Sequence, residues 1–256
     1  MDTSKSNTKK AAEDKDLLLP KKPYRTHGGV HVDHMKNTAE TESQELPTPK
    51  KVIISMQQHI GAACEPIVKK GDKVTVGQLI ADSTSFMCAP IHSGVSGEVT
   101  NIGTIIMPNG AEIKTIEIES DGLQTVCPDI EPPVVTNADE LYAAVRKSGL
   151  VGLGGAGFPV SIKLNFSPEK HVDTLVINGA ECEPSLTADY REMMEYPEDI
   201  VEGTRFVMET LGLKRAIIGI EGNKPTAIKR LGEIIKERSL NDRMCVLKLG
   251  TSYPHG

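Results

Sequence analysis

Between residues 46 and 122 the chain alternates apolar and polar positions in short runs. These are Lys51-Val-Ile-Ile-Ser, Pro66-Ile-Val, Val74-Thr-Val, Gln78-Leu-Ile-Ala, Gly97-Glu-Val-Thr-Asn-Ile and Glu112-Ile-Lys-Thr-Ile-Glu-Ile-Glu. Turn residues interrupt them at Gly71-Asp72, Pro90, Ser93-Gly94, Ser96-Gly97 and Pro108-Asn109-Gly110. A period of two over short runs with such turns predicts a small all-β sandwich or barrel. A Pro-rich connection over 123–135 comes next, and the period then changes. Leu141, Ala144 and Val145 fall at helical spacing behind Thr136 or Asn137 as cap. Ile200, Val201, Thr204, Val207, Met208 and Leu211 do the same before Gly212, and 225–238 carries Ile228, Leu231, Ile234 and Ile235. Apolar runs over 173–178, 215–221 and 244–249 alternate with these helices. Such alternation predicts a mostly parallel, helix-covered sheet over 136–256. Residues 1–45 show no periodicity and carry Lys/Arg and Asp/Glu in equal number, so they are expected to form a partly mobile polar arm.

Composition narrows the function classes. Gly (23) and Pro (16) are plentiful, aromatics are 4% and Trp is absent, which suits a small-residue chain with many tight turns. No run approaches the ~18 apolar residues of a membrane span. The N-terminal apolar stretch, Leu17–Leu19, falls short of the ~7–15 residues of a secretory leader. A net charge of −6 disfavours a nucleic-acid-tracking surface. The five cysteines form no C-x-x-C pair, so neither a zinc ribbon nor a disulfide framework is indicated, and a reducing cytoplasm is expected. His27, His31 and His34 read as part of a glycine turn packed along the next domain, and no metal site is assigned.

Three segments carry candidate chemistry. The run from Val68 to Ala81, followed by Cys88-Ala-Pro-Ile-His-Ser-Gly-Val-Ser-Gly-Glu-Val, resembles the biotinyl/lipoyl-type barrel sandwich. The hairpin that should present a modifiable lysine, Asp82-Ser-Thr-Ser-Phe-Met-Cys, has none, so a structural or docking role is expected in place of a swinging-arm carrier. Gly152-Leu-Gly-Gly-Ala-Gly-Phe-Pro contains G-x-G-x-x-G, but it comes after a helical segment and so does not meet the dinucleotide-binding context. Its amides can still cradle a phosphate, with Lys163 downstream to neutralise it. Asn178-Gly-Ala-Glu-Cys-Glu-Pro lies just past a core strand, at the strand end where open α/β sheets bind ligands. There Glu181 and Glu183 can accept hydrogen bonds from a flavin edge, a ribose or a nicotinamide carboxamide, while Cys182 reads as a buried small residue.

These residues resemble a known family. Gly152–Leu164 followed by Asn178–Arg191 is similar to the flavin- and NADH-binding subunit of respiratory complex I. The order of parts is closer to the RnfC subunit of the Rnf electron-transport complex, from Gly28-Gly-Val-His through Gln58-His-Ile-Gly-Ala and Ala89-Pro-Ile-His to Ile218-Gly-Ile-Glu-Gly-Asn-Lys-Pro225. Relatives on the same plan include a proline-reductase-associated electron carrier and a cobalamin reductase. The resemblance implies noncovalent FMN, NAD(H) as hydride partner and onward transfer through two 4Fe–4S clusters. It implies that Gly152, Gly154, Gly155 and Lys163 hold the FMN phosphate and ribityl chain, and that Asn178 and Glu181 contact the flavin. Phe158, Phe166 and Glu183 would face the nicotinamide nucleotide. The complex I loop arginine is Leu153 here, and the acid after Asn-Ala is Ala180. The family's paired cysteine motifs are absent, so the chain looks like a fragment without cluster ligands. The expected partners are other subunits of a membrane complex or a soluble reductase, with a peripheral position on the inner membrane face. A non-catalytic docking scaffold is the alternative.

Overall fold

In the computed structural model, which describes residues 22–25, 28–167 and 169–254, the period-two segments become two antiparallel sheets. Leu17–Leu19 and His27 lie outside the described residues. One sheet joins β1 (Lys51–Ser55), β7 (Glu112–Ser120), β6 (Gly97–Ile106) and β3 (Lys73–Val74) in that order, and the other joins β2 (Glu65–Pro66), β4 (Leu79–Asp82) and β5 (Ile91–His92). Register pairs Val52 with Ile118 and Ile54 with Ile116 across β1 and β7. On β6, Val99 and Ile102 meet the same two isoleucines, with a register shift between Val99 and Asn101. The shift falls where the strand leaves the core, Val99 being buried and Ile102, Ile105 and Ile106 exposed. Ile116, Ile118, Val99, Ile80 and Met56 are fully buried and form one core with Val74, Ile91, Cys64 and Cys88. This is the expected barrel sandwich.

The chain divides by contacts at a different place from its composition. Gln44–His171 forms one compact unit, and the described residues before and after it form the other. The first unit therefore keeps α1 (Ala138–Ser148) and α2 (Val160–Leu164) with the barrel, although the helical period of α1 groups it with the later α/β segments. Local chemistry explains why. Arg146 on α1 pairs with Asp82 on β4 at 2.7 Å and donates to the Ser83 carbonyl. At the other end of α1, Asn137 is the one of the two candidates that caps the helix. The Asn137 side chain accepts from the Glu140 amide at 3.0 Å, and the Glu140 carboxylate accepts from the Thr136 amide and hydroxyl.

The second unit is the expected parallel sheet. Strands β8 (Thr174–Gly179), β9 (Arg215–Glu221) and β10 (Met244–Leu249) lie in the order β10-β9-β8, all parallel, with Ile177 opposite Ile218 and Ile218 opposite Val246. Helices α3 (Ala188–Glu195), α4 (Pro197–Thr210) and α5 (Pro225–Glu237) connect them. Helix α4 packs on β8 and β9, and α5 on β10, burying Met208, Ile218, Ile220, Leu231 and Ile234. The described part of the N-terminal arm belongs here as well. Tyr24 bridges in parallel to Leu249 and Val30 in antiparallel to Tyr253, with backbone bonds of 2.7–2.9 Å. Gly29 thus packs beside residues 252–253 of this unit.

Candidate functional site

The glycine segment is a pinched hairpin. Val151 bridges Pro159, and the Gly152 amide donates to the Phe158 carbonyl at 2.9 Å, which leaves 153–157 as the tip. Two kinds of glycine occupy it. Gly157 has φ +65, and a Cβ there would stand 2.8 Å from the Gln58 carbonyl oxygen and 3.0 Å from His59 Cα. Only glycine seats the hairpin on the 58–59 backbone. Gly154 and Gly155 are different: a Cβ on either would meet nothing within 4 Å. Gly155 lines a cleft of about 530 Å³ together with Gln57–Ile60, Val151–Leu153, Ala156 and Gly157. Lys163 on α2 is exposed, and its Nζ stands 3.6 Å from the Cβ position of Gly152. It makes no ion pair among the described residues. Phe158 and Phe166 are both half-buried within the same unit. Open space over consecutive glycines, beside an uncommitted ammonium, suits a phosphate-bearing ligand.

The acidic turn is built by the opposite means. Glu181 and Ser185 have φ +48 and +66, an uncommon backbone for residues with side chains. Two lysines hold it. Lys36 Nζ donates to the carbonyls of Glu181, Glu183 and Leu186 at 2.6–2.9 Å. Lys224 Nζ donates to the Ala180 carbonyl at 2.7 Å and to Glu221 Oε2 at 3.0 Å. Glu221 is 0% exposed and Lys224 4%, so this is a buried pair at the carboxyl end of β9.

Glu181, also buried, accepts from the Asp189 amide at 2.7 Å and so caps α3, whose preceding Thr187 makes no side-chain cap. Its second oxygen lacks a hydrogen bond and lies 3.7 and 3.8 Å from the Lys36 and Lys224 ammoniums. Burial holds the Glu181 carboxyl above the usual carboxylate range, against the pull of Lys224 and Lys36. A cavity of about 270 Å³ opens there, lined among others by Glu181, Tyr190, Asn223 and Lys224.

The sequence candidates therefore separate. Gly152, Gly154, Gly155, Phe158, Lys163 and Phe166 lie in one unit, and Asn178, Glu181 and Glu183 in the other. Glu183 and Asn178 are exposed, and the Asn178 side chain accepts from the Ala180 amide at 3.1 Å. Cys182 is buried, as a small core residue should be. Sequence reasoning missed Gln57–Ile60 as the wall facing the hairpin, and Lys36, Glu221 and Lys224 as the frame of the turn. The Glu221 signal was available, since Glu-Gly-Asn-Lys lies past a core strand just as Asn178–Glu183 does.

Comparison with known proteins joins these parts. The RnfC barrel sandwich hybrid domain matches residues 24–123, and the Nuo51 FMN-binding domain matches 145–256, a stretch that takes in both the glycine hairpin and the acidic turn. A barrel-sandwich domain in tandem with an α/β domain of the FMN-binding type is the class these matches define. The chain belongs to the RnfC family. It is 43% identical over 235 residues to the C subunit of the proton-translocating ferredoxin:NAD(+) oxidoreductase complex of Clostridium ljungdahlii, covering 90% of this chain and 50% of that protein. The Na(+)-translocating counterpart of Acetobacterium woodii is 42% identical, over 90% of this chain and 52% of that one. The C subunit of the ion-translocating oxidoreductase complex of Rhodobacter capsulatus is 39% identical, over 94% and 47%. The chain thus spans about half the length of these relatives. Among solved structures, an NAD+-reducing NiFe hydrogenase in the air-oxidized state is similar over 45% of this chain and 21% of its own, at 26% identity and a TM-score of 0.40. No helix of the described residues is long and apolar enough to cross a membrane.

Proposed function

We propose that this chain is the flavin-binding part of an electron-transfer subunit that exchanges electrons with NAD(H) inside a multi-subunit ferredoxin:NAD oxidoreductase complex. The observation that carries the reading is an open cleft lined by the bare backbone of Gly152 and Gly155, inside the stretch matched by the FMN-binding domain. The names of the relatives supply the redox couple and the assembly.

FMN, when bound, supplies hydride acceptance and single-electron release, chemistry that no side chain here offers. The residues bind and orient. Amides of the hairpin tip and the Lys163 ammonium would hold the phosphate and ribityl chain, with Gly152 beside them. Asn178 and Glu181 would face the flavin. Phe158 and Phe166 would stack against the nicotinamide nucleotide, and Glu183 would accept a hydrogen bond from it. The chain has no C-x-x-C motif, so electrons would leave the flavin for clusters held elsewhere in the assembly. Peripheral attachment at the inner membrane face, through partner subunits, belongs to the same reading.

Titration of the chain with FMN, followed by flavin fluorescence, tests this. The expected result is saturable binding that weakens about tenfold in Lys163→Ala, the size of one lost charge-assisted contact. No binding by either would leave the docking-scaffold reading in its place, and equal binding by both would remove Lys163 from the site.

A further inference from the structure

The barrel core contains a cluster that the flavin reading does not use. His59 Nε2, Cys64 Sγ and Cys88 Sγ all lie within 4.8 Å of one another, in residues 5%, 1% and 0% exposed. The two sulfurs are 3.4 Å apart, and Cys64 Sγ is 3.9 Å from His59 Nε2. The Ala89 carbonyl oxygen completes the set, 3.2 Å from Cys64 Sγ, 3.2 Å from His59 Nε2 and 3.7 Å from Cys88 Sγ. A tetrahedral zinc ion with bonds of ~2.3 Å to sulfur and ~2.0–2.2 Å to nitrogen or oxygen would set sulfur pairs ~3.8 Å apart and mixed pairs ~3.4–3.6 Å apart. The separations of 3.2–3.9 Å each lie within about 0.4 Å of those values.

We propose that His59, Cys64 and Cys88, with the Ala89 carbonyl as fourth donor, bind a structural zinc ion inside the barrel unit. The backbone is shaped for it. Gly61, at φ +113, lets 59–64 approach 87–89 so closely that a Cβ would stand 2.3 Å from the Met87 carbonyl oxygen. The Ala62 amide then donates to that same oxygen at 3.0 Å. The His59 ring suits metal binding through Nε2: Nδ1 has the Ile60 carbonyl at 3.1 Å to take its proton, which would leave the lone pair on Nε2. The Ala89 amide donates to that lone pair at 3.1 Å, and the ion would take its place.

Charge also balances. Each thiol releases its proton to solvent as its sulfur bonds the cation, and two thiolates neutralise the divalent ion, leaving no net charge in an apolar core. Thiolate and imidazole donors select zinc over magnesium or calcium. The ion would also brace the flavin cleft, because the backbone of 58–59 seats Gly157 and the Ile60 amide donates to the Ala156 carbonyl at 3.1 Å. This proposal stands apart from the flavin reading, and either can fail alone.

The test is metal analysis of the full chain, produced in zinc-supplemented medium and purified with a reductant but without chelator. The expected content is about one zinc per chain, retained in Cys127→Ser and cut about tenfold in Cys64→Ser with Cys88→Ser. Should that double variant fail to fold, the parent chain refolded with cobalt(II) gives the answer, through the intense visible absorption of tetrahedral, thiolate-ligated cobalt. Absence of both zinc and that absorption would overturn the proposal. So would zinc-free protein whose mass, after purification without reductant, is lower by the two hydrogens of a Cys64–Cys88 disulfide.

Discussion

The glycine hairpin and the acidic turn carry the same sequence promise and are built in opposite ways. The hairpin tip is open: backbone amides without side chains, an exposed Leu153 and a Lys163 without an ion pair among the described residues. Ligand chemistry there remains available because the fold consumes so little of it. The acidic turn is closed, and two lysines spend their donors on its carbonyls while Glu181 spends one oxygen capping α3. Polar residues after a strand end can therefore serve the fold first, whereas glycines over empty space have little structural use. The difference teaches which of the two regions a ligand can take at small structural cost.

Four sets of substitutions probe that contrast. The largest effect is expected for Lys224→Met, which leaves Glu221 buried and uncompensated; urea unfolding should show a loss of about 3–5 kcal/mol, partly restored by adding Glu221→Gln. Gly157→Val comes next. Its Cβ would press on the Gln58 carbonyl in a left-handed backbone, costing about 2–4 kcal/mol in the same assay.

Gly154→Val with Gly155→Val should separate binding from stability. Neither glycine has a left-handed φ or a neighbour for a Cβ, so stability should move by less than about 0.5 kcal/mol. FMN affinity should nevertheless fall at least about tenfold as side chains fill the cradle. A matched loss of stability and affinity would show the tip to be structural.

The smallest effect is a pH slope at Glu181. Burial raises its carboxyl above the unfolded value, so the folded state binds that proton more tightly. Its contribution to stability is full below the unfolded pKa and is lost as pH rises through the folded one. Glu181→Gln keeps an acceptor for the Asp189 amide without this loss. Its stability relative to the parent should therefore rise with pH across and above the carboxylate range, and a flat difference would refute the assignment.

Much of this was legible along the chain. The strands at Lys51–Ser55 and Glu112–Ser120, the first part of Gly97–Ile106, the cap at Asn137, and the parallel order of the last three strands are set by periodicity and local capping chemistry. Helix α2 and the two-residue strands carry too few residues to show a period. Lys36 was unreadable as a partner of Glu181, since 145 positions separate them and a lone lysine in a polar arm has no local signal. His59, Cys64 and Cys88 escaped for the same reason, their spacing matching no ligand motif.

Residue order alone fixes the longer strands, helices α1, α4 and α5, the two kinds of sheet and the family, because hydrophobic period and turn chemistry act over neighbours along the chain. Only the tertiary structure decided that α1 and the glycine hairpin join the barrel unit, that Glu181 is buried while Glu183 is exposed, and that two distant cysteines meet a histidine. Those outcomes depend on ion pairs, close backbone approaches and desolvation between segments far apart in sequence, forces that exist only once the chain has folded.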